Sequence, residues 1–210
     1  MPELNVTLAL IAITGLVSFQ AFNNPELRSK LIFNPFVAQS RGEWYRFLSH
    51  ALLHADMRHL LVNMFVLWMF GSTVELLFEG LTGAWGIGLF IALYVGGVAF
   101  SALPAYLKHR GNPGYNSLGA SGATSAVLFS YVLMLPFEEL QFIFFPIFGF
   151  PAWVFGLAYL GYEYYMDKKS SDNIAHDAHF FGALYGIVFT TLLNPELVTN
   201  FGYLSKLIVR

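Results

Sequence analysis

Cysteine is absent from the 210 residues of this chain, which removes disulfide staples and thiolate chemistry from consideration. Charge is scarce as well. Asp, Glu, Lys and Arg make up 11% of the residues, against about a quarter in a soluble domain, too little polar surface to coat a water-soluble globule. Neither sign dominates: the formal net charge is −2, so the chain lacks the electrostatic footprint of a nucleic-acid binder. No low-complexity linker and no inverted repeat of the transporter kind is visible, and residues 1–210 read as a single domain.

What the sequence has in excess is apolar residues, at 56%. About 20 of them cross a ~30 Å hydrocarbon core, and six uncharged runs are candidates: Leu4–Pro25, His59–Val74 (extendable to Phe78), Gly80–Leu107, Gly111–Phe137, Leu140–Tyr162 and Ala178–Pro195. The expected fold is an all-α membrane protein, a multi-pass bundle of six transmembrane helices in contact with membrane lipids. The first run is too long for a signal-peptide core and lacks a basic leader, so it is expected to be retained. The connection from Asn23 to Arg58 is long for a bundle. Its LIFNPFVAQSRGEWYRFLSHALLHAD interleaves aromatics with isolated charges, the pattern of a loop folded at the membrane interface. Pro146, Gly149 and Pro151 predict a bent fifth crossing. DKKSSD at Asp167–Asp172 reads as a solvated turn before the sixth.

Six crossings alternate in direction, so the second, fourth and sixth all begin on one side. His59 opens the second, Ser121 lies near the start of the fourth and His179 near the start of the sixth. Asn63 is one turn below His59 on the same face. Ionisable groups at this depth are costly and invite a functional reading. One reading is that Ser121 and His179 merely tie helices together by hydrogen bonds. The other is nucleophilic catalysis, a serine hydroxyl beside a neutral imidazole. Gly119 and Gly122 clear bulk from around Ser121, and Gly182 and Gly186 give the sixth crossing a matching flat face, which lets the two helices close in. His59, Asn63 and the Ser121 backbone N–H supply donors for an oxyanion. The stretch is not the nucleophile elbow of soluble hydrolases, because Ala123 stands where that motif needs glycine. His50, His54, His59, His176 and His179 also admit a membrane zinc hydrolase, with Asp56, Asp172 and Asp177 nearby. More simply, His50 and His54 anchor the loop by hydrogen bonds.

Taken together, these residues resemble the rhomboid family of intramembrane serine proteases over nearly the whole chain. GASG at Gly119–Gly122 is similar to the family's G-x-S-G, and AHFFGALYG at Ala178–Gly186 to its sixth-helix motif. HADMRHLLVNM at His54–Met64 resembles the second-helix motif, EWYR at Glu43–Arg46 the first-loop signature, and GSTVE at Gly71–Glu75 the end of the second helix. The resemblance implies a six-helix rhomboid-like bundle with Ser121 as nucleophile and His179 as base, forming a dyad with no third, acidic member. It implies His59 and Asn63 at the oxyanion, His54 in support and Glu75 in a structural hydrogen-bonding role. It also implies transmembrane-helix substrates, a mobile fifth helix, and neither metal nor cofactor. In some members an aromatic follows the serine by four residues and stacks on the histidine; here Ser125 occupies that position. An inactive, client-binding relative is the non-enzymatic alternative, although such relatives typically lose the serine or the histidine. Nine of the eleven Lys and Arg residues fall on the active-site side by alternation. The positive-inside rule turns that side to the cytoplasm, whereas the usual bacterial rhomboid, in an inner or plasma membrane, opens outward.

Overall fold

The computed structural model describes residues 5–142, 145–169, 174–202 and 204. Six longer helices carry the architecture: α1 (Val6–Phe22), α5 (Met57–Thr82), α6 (Gly86–Ser101), α8 (Ser121–Met134), α9 (Ala152–Lys169) and α10 (His176–Leu193). Short helices fill the connections: α2 (Pro25–Leu31), α3 (Pro35–Arg41), α4 (Arg46–Ser49), α7 (Leu103–His109) and α11 (Glu196–Thr199). Among the described residues, the helical run Met57–His109, whose most apolar 18-residue stretch has a mean hydropathy of 2.0, is long and apolar enough to cross a membrane. It folds back on itself at Gly83 (φ 60°), so α5 and α6 lie side by side.

Helix directions follow from which residues meet. Asn63 bonds Thr124 and Phe70 packs on Tyr131, so α5 and α8 run parallel. Gly122 faces Gly182 and Ala126 faces Gly186, and Thr190 Oγ1 lies 2.7 Å from Ser130 Oγ. All three pairs share one offset and recur every four residues, which makes α8 and α10 a parallel pair in fixed register. By the same logic α1, α6 and α9 run the other way: Thr7 meets Glu75 while Ser18 meets His54 just before α5, Gly97 lies against Ala126 while Gly122 lies against Ser101, and Tyr159 meets Ser125 while Gly156 lies against Phe129 and Val132. The helices α5, α8 and α10 therefore begin at the same end of the bundle.

The Asn23–Arg58 connection is ordered by local chemistry. Asn24–Pro25 and Asn34–Pro35 each start a helix: the Asn side chain accepts from a backbone N–H of the first turn while Pro takes the first helical position. Arg46 is buried and holds the loop together, with Nε 2.7 Å from Glu43 Oε2 and Nη1 donating to the carbonyls of Ser29 and Ile32. Glu75, deep in the bundle, accepts from Val6 N, Thr7 N and Thr7 Oγ1 at 2.8–3.0 Å. Its carboxylate thus sits on the positive end of α1, where unpaired N–H groups need acceptors.

Two expectations need correction. The segment expected to form the start of a bent fifth crossing is instead an antiparallel hairpin, β1 (Glu139–Phe142) with β2 (Phe145–Pro151), and the helix begins only at Ala152. Proline fixes φ near an extended-compatible value but cannot donate to a helical ladder, so a segment rich in Pro and Gly is better satisfied as strands than as a kinked helix. The run before Ser121 is likewise non-helical, and α8 is only 14 residues long. Of DKKSSD, Asp167–Lys169 close α9, and the rest lies outside the described residues.

Candidate active site

Ser121 is the first residue of α8, and the connection between α1 and α5 holds the strand-like approach to it. Phe33 and Ser117 exchange backbone bonds of 3.0 and 2.9 Å, and Gly119 N donates to His50 O at 3.1 Å. Ala120 N donates to His54 Nε2 at 3.4 Å. That last bond sets the tautomer: Nε2 accepts, so Nδ1 carries the proton and donates to Ser18 Oγ at 2.9 Å, which in turn donates to Leu52 O. Burial, followed by the neighbouring His59, pushes His54 down to about 3, in keeping with a neutral ring. His54 is therefore a loop anchor, as expected. His50 anchors the loop through its backbone carbonyl rather than its ring: burial pushes the ring down to about 4, and neither ring nitrogen has a hydrogen-bond partner among the described residues. Its ring instead packs on Phe33 and lines a cavity of about 20 Å³ with Ser101, Tyr115, Ser121 and Asp177, room for roughly one water molecule.

The backbone at Gly119 has φ 126°, a region that disfavours side chains. A Cβ there would lie 3.1 Å from His59 Nε2 and 3.8 Å from Ser121 Oγ, so the glycine leaves room for the imidazole to approach the hydroxyl. The side chain of Asp56 caps α5 by accepting from His59 N at 2.9 Å. Asn63 donates through Nδ2 to His59 O at 2.9 Å and accepts at Oδ1 from Thr124 Oγ1 at 3.1 Å. With the amide held that way round, its second N–H remains for a ligand.

Across the α8–α10 contact, a Cβ on Gly182 would lie 2.9 Å from Gly122 Cα and nearer still to its carbonyl oxygen. This backbone-to-backbone approach brings the Ser121 end of α8 to the first turn of α10, which carries His179. Ala178, next to His179, lines the same cavity as Ser121. On its other side His179 meets α9: Nδ1 lies 3.1 Å from Glu163 Oε1, and Glu163 Oε2 lies 2.5 Å from His176 Nδ1. Glu163 is 5% exposed, in the middle of the two rings. A carboxylate accepts only, so both imidazoles present Nδ1–H to it, leaving Nε2 of His179 as the basic nitrogen.

A rhomboid domain model matches residues 41–196, a span that includes every residue of this constellation except Ser18 and Phe33. The chain belongs to the rhomboid family. It is 31% identical over 139 residues to the mouse presenilin-associated rhomboid-like protein, mitochondrial, covering 66% of this chain and 35% of that protein. It is 30% identical over 159 residues to rhomboid-related protein 1 of Caenorhabditis elegans, covering 73% and 41%. To rhomboid-like protein 11, chloroplastic, of Arabidopsis thaliana it is 28% identical over 181 residues, covering 80% and 57%. The chain thus spans about a third of the length of the mitochondrial relative.

As a rhomboid domain, this is an integral membrane protein. The fold gathers Ser121, Gly119, Gly122, His54, His59 and Asn63 around one end of α8, with His179 entering from α10. Among the described residues it does not gather the five histidines into one metal cluster. His54 has both nitrogens engaged, and donor atoms of Glu163, His176 and His179 lie within 4.8 Å of one another. Three contributors escaped the sequence reading. Thr124, which turns the Asn63 amide, had a signal in its position one turn beyond Ser121. Ser18 had none. Glu163 has one that works against it: a charge ends an uncharged run, so the fifth run stops at Tyr162. The resemblance implied a dyad with no acidic member, yet in this rhomboid a carboxylate bonds His179. At Ser125, where some members carry an aromatic, Tyr159 of α9 reaches in instead, its hydroxyl 3.0 Å from Ser125 Oγ.

Proposed function

We propose that this rhomboid is an intramembrane serine endopeptidase that cuts transmembrane-helix protein substrates with Ser121 and His179. Ser121 Oγ attacks the scissile carbonyl as His179 Nε2 takes its proton. The same nitrogen then gives that proton to the leaving amine, and a water molecule, deprotonated in turn, hydrolyses the acyl-enzyme. The oxyanion is met by Ser121 N–H at the helix N-terminus, the second N–H of Asn63 and His59 Nε2–H. Gly119 and Gly122 leave the space this requires, and His54 steadies the approach to Ser121. The observation that carries the reading is the backbone contact of Gly122 with Gly182, which sets the serine-bearing and histidine-bearing helix ends together.

We further propose that residues 1–210 act as one domain crossing the bilayer six times, through α1, α5, α6, α8, α9 and α10, with α2–α4 lying at the interface. The active-site side faces outward in an inner or plasma membrane. Arg46 is spent inside the loop fold and is discounted as a topology signal. Two of the relatives carry organelle names, and cell fractionation decides the compartment. The reaction needs no metal or cofactor.

A serine-reactive fluorophosphonate should label wild type and leave Ser121→Ala unlabelled. The same variant should lose cleavage of a transmembrane reporter while its unfolding temperature stays unchanged. Loss of cleavage in chelator, with Ser121→Ala still active, would favour a zinc hydrolase built on Glu163, His176 and His179, whose donor atoms converge. A phenotype indifferent to Ser121→Ala would favour a client-binding relative.

A further inference from the structure

Glu163 has no part in the reaction just described, yet it is the best-placed charged group around His179. It is buried among apolar helices, which is expensive unless each oxygen is paired. Both are paired: one with His179 Nδ1 at 3.1 Å, the other with His176 Nδ1 at 2.5 Å. His176 is itself buried and edge-on to Tyr162, so its ring is a fixed post rather than a second base. The helix that carries Glu163 is sparsely anchored. Of the 18 residues of α9, the buried ones are Ala152, Gly156 and Glu163, whereas α8 buries eleven of 14. Glu163 is the only ionisable residue of the three, and its partners lie on α10.

We propose that Glu163 is the positioning residue for the base: it holds His179 in the Nδ1–H tautomer, is itself held by His176, and makes the active base depend on α9 lying against α10. The proposal rests on the serine-protease reading above. In it the proton on Nδ1 never leaves. Nε2 gains the Ser121 proton, the ring becomes an imidazolium, and the carboxylate balances that charge without being protonated. Without Glu163 the neutral ring is free to carry its proton on Nε2, where it cannot accept one. This arrangement also accounts for Ser125, since a ring held by a carboxylate from α9 does not need an aromatic from α8 to stack on it.

The test combines kinetics with a direct reading of the ring. Glu163→Gln should lower kcat on a transmembrane reporter by roughly 10² to 10⁴-fold, the upper figure being the loss when the triad carboxylate of a soluble serine protease is neutralised, with KM nearly unchanged. Glu163→Asp, which keeps the charge, should recover part of kcat. In wild type, ¹⁵N chemical shifts of the His179 ring should show a protonated Nδ1 and a bare Nε2, and Glu163→Gln should show a mixture. An Nε2–H ring in wild type overturns the proposal whatever the variants do, and needs no variant to fold. So does a Glu163→Gln protein with wild-type kcat, or wild-type activity that chelators abolish and zinc restores. If wild type resists fluorophosphonate at Ser121, the protease reading fails by itself, and the ¹⁵N spectrum still reports whether Glu163 sets the tautomer.

Discussion

Gly182→Ala is the sharpest test of how the two halves of the site are brought together. The added Cβ would stand 2.9 Å from Gly122 Cα and 2.8 Å from its carbonyl carbon, where ordinary contact begins at 3.4 Å. The three nearest atoms, the carbonyl oxygen, carbonyl carbon and Cα of Gly122, are all backbone, so no side-chain rotation relieves that clash and α10 must retreat from α8 by about half an ångström or more. Overpacking of this kind costs about 1–3 kcal/mol. The loss of function should be larger than the loss of stability, because displacing reacting groups by about 1 Å costs on the order of 10²-fold. Thermal unfolding in detergent and the rate of fluorophosphonate labelling at Ser121 measure the two effects separately. Gly15→Ala is the control: nothing lies within 4 Å of its Cβ, and replacing a helix-interior glycine should leave stability unchanged or raise it by up to ~1 kcal/mol. A Gly182→Ala protein that labels within twofold of wild type would show that the close contact is not what assembles the site.

Two further outcomes are expected. Glu75→Ala leaves Val6 N, Thr7 N and Thr7 Oγ1 without their acceptor, and should destabilise the fold by about 3 kcal/mol, with Glu75→Gln intermediate; equal unfolding temperatures would refute the capping role. For pH, His50 and His54 are held down at about 4 and about 3 against 6.5 in the unfolded chain. Below pH 6.5 the unfolded chain therefore takes up protons that the native one refuses. Stability is full above pH 6.5 and falls by about 1.4 kcal/mol per unit per histidine down toward pH 4. Burial also holds His109 down, so chemical denaturation across this range should show a slope for wild type that exceeds that of His54→Gln by about one proton.

How legible the molecule was in its sequence varies from element to element. Small residues every four positions at Gly182 and Gly186 announced a helix contact, and it exists because backbone can approach backbone only where side chains are missing. The spacing of His59 and Asn63 put both on one face of α5, as a helix of that period must. From Leu140 to Pro151 the apolar run with two prolines predicts part of a bent helix, and there the structure differs. Hydropathy measures what leaves water, not which hydrogen bonds the backbone then makes, and strands satisfied them here.

Glu163 marks the boundary most clearly. By itself the sequence determined that the chain enters a membrane, which helices begin on one side, and that Ser121 and His179 lie near such beginnings, because period and apolar length are local properties. Only the tertiary structure decided that a carboxylate from α9 would lie between two imidazoles of α10. A buried charge is tolerable solely through partners it meets in three dimensions, and no pattern along the chain records that meeting.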